Sequence, residues 1–195
     1  MKEIVFASNN KHKIEEVKQI LAGFKILSLE DIGLTEEIEE TGTTFLENSL
    51  IKARATIEFL KAQGRSLEVI ADDSGLCVEA LNGAPGVFSA RYAREHSSAA
   101  NRKKLLEELE GHKNRRAYFE CIFVCMQPDG KFNYGVGRTH GTILKEETGD
   151  NSFGYDCLFF SDDLNKCFGE VSANEKNAVS HRARAIIDCF NIKSR

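Results

Sequence analysis

The chain has 195 residues, a formal net charge of −4, and 42% hydrophobic and 29% charged residues, the composition of an ordinary globular protein long enough to bury a substantial core. The acidic balance argues against a protein whose main work is coating nucleic acid; no run approaches the length of a membrane span, and the opening residues lack the apolar stretch and cleavage site of a secretory leader. The cysteines at 77, 121, 125, 157, 167 and 189 form no Cys-x-x-Cys pair and no zinc-spaced cluster with histidine, so free thiols in a reducing cytoplasm are expected.

Residues 4–7 form an apolar run and read as a buried strand. A helix follows over residues 11–21 with Ile14, Val17 and Leu21 on one face. A second strand over 24–27 leads into a polar, acidic loop over 31–42. Thr44 and Glu47 make a capping-box pattern that opens a long helix to about residue 63, stopped by Gly64. Its apolar stripe is Leu46, Leu50, Ala53, Ile57 and Leu60, while Asn48, Lys52, Ala55 and Phe59 lie on another face. Runs at 67–71 and 76–80 read as two strands joined by an Asp72, Asp73, Ser74, Gly75 turn. A tight loop over 82–86 precedes a charged helix at 98–110 with Leu105, Leu106 and Leu109 inward. Residues 116–126 alternate as a strand, turn at 127–130 and pair with a hairpin partner over 131–145. A further strand is expected at 157–160. The last helix starts near Ser180 with Ala183, Ile186, Ile187 and Phe190 at helical spacing. Strand–helix alternation early and a hairpin late predict an α/β fold with a mixed sheet, in one two-lobed domain over residues 1–195.

Several segments carry chemistry beyond packing. Acids at the end of a strand, here Asp72 and Asp73, can hold a hard cation or take a proton from water; a solvated β-turn is the plain alternative. Lys11, His12 and Lys13 crowd a helix N-terminus, where the dipole disfavours cations unless an anion joins them. Backbone N–H groups, Asn10 and a lysine would hold a phosphate there, although a basic turn capped by Asn9 or Asn10 needs no ligand. His181 and Arg182 repeat the pattern at the last helix, with Lys176 nearby. In Phe153, Gly154, Tyr155 and Asp156, glycine permits close backbone approach and the aromatics can stack on a flat base; otherwise they are core residues. Glu39 and Glu40 could complete an oxygen-rich magnesium site with the Asp pair, or simply serve a helix dipole. A P-loop, a dinucleotide-binding glycine pattern and a nucleophile elbow are all missing from the sequence.

In order and spacing these segments resemble the inosine triphosphate pyrophosphatase family, the XTP/dITP diphosphatases. The resemblance rests on residues 7–13 (Ala-Ser-Asn-Asn-Lys-His-Lys), 39–42 (Glu-Glu-Thr-Gly), 45–48 (Phe-Leu-Glu-Asn) with Lys52 and Ala53, 71–76 (Ala-Asp-Asp-Ser-Gly-Leu), 83–86 (Gly-Ala-Pro-Gly) with 89–91 (Ser-Ala-Arg), 153–156 (Phe-Gly-Tyr-Asp) and 180–182 (Ser-His-Arg). It implies an ITPase-like α/β fold, with an elongated mixed β-sheet and flanking helices in two lobes around a central nucleotide cleft. It also implies a magnesium-dependent cut between the α and β phosphates of ITP, dITP or XTP, cleansing the nucleotide pool, by a cytoplasmic homodimer. On this resemblance Ser8, Asn9, Asn10, Lys11, His12, Lys13 and Lys52 hold the phosphates of the substrate, and Ser74 is a further substrate-binding residue. Asp73 is the proton acceptor, and Glu40 with Asp73 is the metal pair. Phe153, Gly154, Tyr155 and Asp156 embrace the base; Lys176, His181 and Arg182 read its edge. A donor aimed at O6 of a 6-keto purine would face an amino group in adenine. An acid that ligates magnesium is a weak base, so Asp73 does not easily fill both roles, and Asp72 is the alternative for one of them.

The chain departs from the family pattern in three places. Cys157 stands where proline is usual, Asp150, Asn151 and Ser152 replace the usual glycines, and Asn174-Glu175 stands where two acids are common. Two other readings compete. One is a pyrophosphatase for modified pyrimidines or methylated nucleotides on the same fold. The other is a non-catalytic nucleotide-sensing or nucleic-acid-binding module, against which the crowded acids speak, since acids repel phosphate unless a metal intervenes.

Overall fold

Apolar and β-branched runs form the strands. β1 (Lys2–Phe6) carries the fully buried Ile4, Val5 and Phe6 and pairs in parallel with β2 (Phe24–Leu27) on one side and β3 (Glu68–Val78) on the other. β4 (Arg116–Met126) and β5 (Phe132–Ile143) follow. β5 pairs antiparallel with β6 (Phe159–Ser161), and β6 with β7 (Lys166–Cys167). In this computed structural model, described over residues 1–94 and 97–191, the strands make one mixed sheet in the order β2-β1-β3-β4-β5-β6-β7. The parallel part uses helical crossovers, as parallel pairing requires.

The helices are set by their caps. α1 (Lys11–Ile20) begins at Asn10, whose side chain accepts from the Lys13 N–H, and buries Val17. α2 (Phe45–Ala62) opens on the Thr44–Glu47 capping box. α3 (Ser98–Glu108) is capped by Ser97 and buries Leu105. α4 (Ala173–Val179) opens on a second capping box, Ser172 with Glu175, and α5 (His181–Cys189) follows directly. No helix among the described residues is long and apolar enough to cross a membrane.

The chain divides into two compact units. The first gathers Met1–Asp73, Ile122–Gly137 and the chain from Arg182 onward. Within it Phe6 and Phe123 stack at 6.3 Å, and Gly135 lets α5 lie directly on β5, since a Cβ there would run into the Ala185 carbonyl oxygen and the Cys189 amide. The second gathers Ser74–Cys121 and Arg138–His181. Its core joins Leu76, Leu105, Phe119, Leu158, Phe159 and Phe168, with Phe119 and Phe159 centred 4.7 Å apart.

Four sequence expectations are corrected. The Asp72–Gly75 segment is not a turn: β3 runs unbroken from residue 68 to 78, with Asp72 and Asp73 buried in it. Turn-forming residue types yield here to a strand that continues beside β4 after its register with β1 ends at Ile70. Along α2 the fully buried positions include Asn48, Ser49 and Thr56, with Lys52 8% exposed, whereas Leu46 and Leu50 are half-buried. Residues 156–158 form a 3-10 turn, so the strand expected at 157–160 begins only at Phe159. Ile187, expected inward, is 37% exposed. α4 and β7 had no counterpart in the sequence reading, because both are too short for a periodic signal.

Candidate active site

The first unit concentrates charge in its interior. Asp72 is 1% exposed, and three cations converge on it or its neighbour. Lys13, from the first turn of α1, donates to Asp72 Oδ1 at 3.2 Å. Arg182, from the first turn of α5, donates to Asp72 Oδ2 through Nε at 3.1 Å and Nη2 at 3.0 Å, and also bonds Glu16. The two cationic helix starts therefore answer to one internal carboxylate. Burial alone would lift the Asp72 pKa, but Lys13, Arg182 and Lys52 outweigh it and hold the carboxyl far below its ordinary range.

Asp73, the next residue along β3, has a different environment. Its Oδ2 accepts from Asn48 Nδ2 at 2.9 Å, and Asn48 Oδ1 accepts from the Gly42 N–H at 2.8 Å. A Cβ on Gly42 would sit 2.6 Å from Asn48 Oδ1, so glycine lets this backbone approach the amide. Burial raises the Asp73 pKa and the Glu40 charge adds to it; Lys52, Lys13 and the Asn48 hydrogen bond pull the other way, and the result lies above the ordinary value. Lys52 Nζ meets Glu40 Oε1 at 2.6 Å. Burial opposes its charge, but Asp73, Asp72 and Glu40 raise its pKa overall, so the ammonium is retained.

The remaining first-unit positions lie close in sequence to this cluster. Ser8 Oγ accepts from the Asn10 N–H at 3.1 Å, Asn9 Oδ1 from the Glu30 N–H at 2.9 Å, and Asn10 Oδ1 from the Lys13 N–H at 3.2 Å. Lys11 and His12 are exposed in the first turn of α1. The three polar side chains thus shape the loop between β1 and α1, and the lysines and histidine follow at the helix start.

Whether these residues suit magnesium follows from their donor chemistry. The ion takes oxygen ligands, often only one or two carboxylates, and fills its shell with water and phosphate oxygens. Among the described residues no group of three or more His, Cys, Asp or Glu side chains is spaced for a metal. The pair of Glu40 and Asp73 is nonetheless a fitting donor set: two hard carboxylates close enough that the charge of one disfavours ionisation of the other, a repulsion that a hard cation relieves.

The second unit holds the aromatic–glycine segment. Lys176, from α4, meets Asp156 Oδ2 at 2.6 Å, both side chains being almost fully buried. Asn151 Nδ2 donates to the same oxygen at 3.1 Å. The Lys176 ammonium lies 5.4 Å from the Phe153 ring centroid, a cation–π distance. Phe153 is half-buried and Gly154 takes a left-handed φ of 57°. Tyr155 is core-like, 4% exposed, with its hydroxyl donating to the Ser89 carbonyl at 2.8 Å. His181 is buried with its ring stacked on Phe119 at 5.0 Å. Ser74, half-buried, begins this unit's stretch of β3.

Both clusters lie on motifs legible in the sequence, but several residues that hold them have no role that the sequence alone reveals. Asn48 and Gly42 orient Asp73, Glu16 shares Arg182, and Arg102 and Asn151 bind the 152–156 backbone. Asn48 carried a signal, since it stands four residues before Lys52 on one helix face. Arg182, expected as a donor to a base, is 2% exposed and bonded to Asp72 and Glu16.

A mixed seven-stranded sheet with flanking helices is an α/β architecture shared with solved structures. The Staphylococcus aureus Ham1 protein aligns with a TM-score of 0.84 at 40% identity, over 97% of this chain and 98% of that one. A Ham1 protein from Coxiella burnetii aligns at 0.83 and 39%, over 95% of each chain. Among curated relatives, the dITP/XTP pyrophosphatase of Clostridium perfringens is 47% identical over 95% of this chain and 94% of its own length. That of Bacillus licheniformis is 47% identical over 95% of each. The Ham1 family profile matches residues 4–191, and the chain belongs to the Ham1 family.

Proposed function

We propose that the protein is a magnesium-dependent nucleoside-triphosphate pyrophosphohydrolase. It converts dITP, ITP and XTP to the monophosphate and pyrophosphate, and so clears deaminated purines from the nucleotide pool. The observation that carries this reading is the interleaving of the buried β3 acids Asp72 and Asp73, and of Glu40, with Lys13 of α1 and Lys52 of α2, in a chain whose relatives are named dITP/XTP pyrophosphatases.

In this reading Lys13 and Lys52 bind the phosphates, joined by Lys11, His12 and the loop of Ser8, Asn9 and Asn10, with Ser74 following the acids. Glu40 and Asp73 would hold magnesium, which supplies charge neutralisation on the phosphates and polarises the bond to be cut. Asp73 also stands as the acceptor of a proton from the attacking water. Asp72 is the weaker candidate for that task, because Lys13 and Arg182 occupy both of its oxygens. Without the ion the Asp73 carboxyl lies above its ordinary value and is the better base of the two, an advantage that a metal bound to the same carboxylate reduces. Asn48 keeps Asp73 in one orientation.

Phe153 and Gly154 receive the base. Lys176, held by Asp156, presents a cation toward its edge together with His181. Arg182 acts on this reading by fixing Asp72 and α5. The same reading carries a cytoplasmic homodimer, which sedimentation of the purified protein tests.

The decisive assay is pyrophosphate release from dITP, XTP, dGTP and ATP at saturating magnesium. Fast release from dITP and XTP, slow release from dGTP and ATP, and arrest by a chelator that magnesium reverses are expected. No release from dITP or XTP by folded protein would defeat the proposal. Preference for a modified pyrimidine triphosphate would move the substrate class.

A further inference from the structure

The backbone around Phe153 is held from outside its own loop. Arg102, on α3, is 6% exposed, and its Nη1 donates to two carbonyls at once: Ser152 at 3.1 Å and Gly154 at 3.0 Å. These carbonyls lie on either side of Phe153. The Phe153 N–H donates to Asn151 Oδ1 at 3.2 Å, and the Phe153 carbonyl accepts from the Asp156 N–H at 3.0 Å. The Ser152, Phe153 and Gly154 carbonyls and the Phe153 N–H therefore each have a fixed partner. Arg102 is itself oriented by Glu147, whose Oε1 meets Nε at 2.7 Å. Guanidinium–carbonyl bonds are charge-assisted, and their planar fork cannot be reproduced by lysine.

The bracing has a reason in this sequence. Asp150, Asn151 and Ser152 lead into the loop, and Gly154 sits at a left-handed φ of 57°, so the chain must curl tightly before Tyr155 enters the core. Left to itself a curl of this kind samples several conformations. Asn151 binds it from within, through Phe153 N–H and Asp156 Oδ2. Arg102 binds it from a helix anchored by the fully buried Leu105.

We propose that Arg102 is a positioning residue for base recognition: it fixes the Ser152–Gly154 backbone so that Phe153 stands ready beside Lys176, and Glu147 keeps Arg102 in place. The inference rests on the proposed pyrophosphohydrolase reading for its substrate, while its structural half stands alone. Pre-ordering a ligand-contacting loop removes an ordering cost from binding, so its loss appears in KM before it appears in kcat.

Arg102→Met keeps the buried stem and removes the donors. Its KM for dITP is expected to rise about tenfold, the size of one lost charge-assisted hydrogen bond, with kcat within about threefold. The dITP-over-dGTP preference narrows, and Arg102→Lys falls between wild type and Arg102→Met. Hydrogen exchange at the Phe153 and Asp156 amides, measured without nucleotide, is expected to speed up in Arg102→Met while core amides of β4 do not change. Glu147→Gln, at a half-exposed position, shifts KM and exchange in the same direction by less, and serves if Arg102→Met does not fold. Unchanged exchange at Phe153 and Asp156 in both variants overturns the positioning role. So does a fall in kcat at constant KM. If wild-type protein cleaves neither dITP nor XTP but exchange accelerates as described, the loop bracing holds and the substrate reading fails.

Discussion

Asp72 and Asp73 are neighbours on one strand, yet replacing each by asparagine should move stability in different ways. Asp72 is 1% exposed and its partner Arg182 2%, joined by bonds of 3.1 and 3.0 Å, with Lys13 at 3.2 Å. Removing one partner of a buried ion pair costs about 3–5 kcal/mol, because the stranded charge keeps its desolvation penalty. Glu16 still faces Arg182 in Asp72→Asn, which argues for the lower end, about 3 kcal/mol. For a chain of this length that lowers Tm by about 6–12 °C. Asp73→Asn is different. The new amide oxygen can still accept from Asn48 Nδ2, and the substitution removes a charge that burial and Glu40 already oppose. Its stability should lie within about 1 kcal/mol of wild type, or above it. Urea and thermal melts at neutral pH, without nucleotide or metal, would measure both. Equal destabilisation by the two substitutions, or an unaffected Asp72→Asn, would refute the division of roles.

Asp73→Asn should also lower kcat for dITP by about 10²–10⁴-fold, the usual contribution of a positioned base, with binding affinity changed far less; an equal loss of binding would make Asp73 purely a metal anchor. Gly135→Ala should destabilise by about 1–3 kcal/mol, because its Cβ meets the backbone of α5 rather than a movable side chain, while Gly23→Ala, with open space around it, should be neutral or slightly stabilising; equal melts for the two would contradict this packing. Burial pushes the thiols of Cys77, Cys125 and Cys157 up to about 11 and that of Cys189 to about 12. Little thiolate then exists at about pH 8, reactivity should climb only toward those values, and denaturant should expose all six cysteines at once; native labelling at the rate of free cysteine would oppose it.

Element positions were largely legible because they depend on local signals. The capping box at Thr44 and Glu47 and the stripe of Ile14, Val17 and Leu21 are written within a few residues of chain; the box is present, and Val17 and Leu21 are buried with Ile14 half-buried. Asp72 and Asp73 misled because their residue types speak for a turn, whereas β3 continues through them beside β4, a strand distant in sequence. The cationic helix starts were legible as anomalies. What relieved two of them, a carboxylate 59 residues from Lys13 and 110 from Arg182, was not. Arg102 gave no signal at all, since a lone arginine on a charged helix normally faces water. Its role comes from carbonyls about fifty residues later.

The charges inside the first unit also bear on how a polyphosphate could enter. Lys13, Lys52 and Arg182 face Asp72, Asp73, Glu40 and Glu16, so acids are in slight excess there. The 2.6 Å contact with Glu40 occupies part of the Lys52 ammonium, and on the proposed function a cation ligated by Glu40 would loosen that contact and leave more of the ammonium to a phosphate. On the proposed function, metal and nucleotide should therefore bind with positive coupling through Glu40. Glu40→Gln separates the two effects. It removes one repelling acid and loosens its hold on Lys52, so without magnesium it should bind dITP about fivefold more tightly than wild type, as about 1 kcal/mol of relieved repulsion implies. With magnesium it should lose most of the further gain that the ion gives wild type, because a metal ligand is gone. Titration calorimetry in a chelator and again at saturating magnesium measures both legs. If Glu40→Gln bound dITP no better than wild type without the metal, Lys52 would not be restrained by Glu40 in the way the contact suggests.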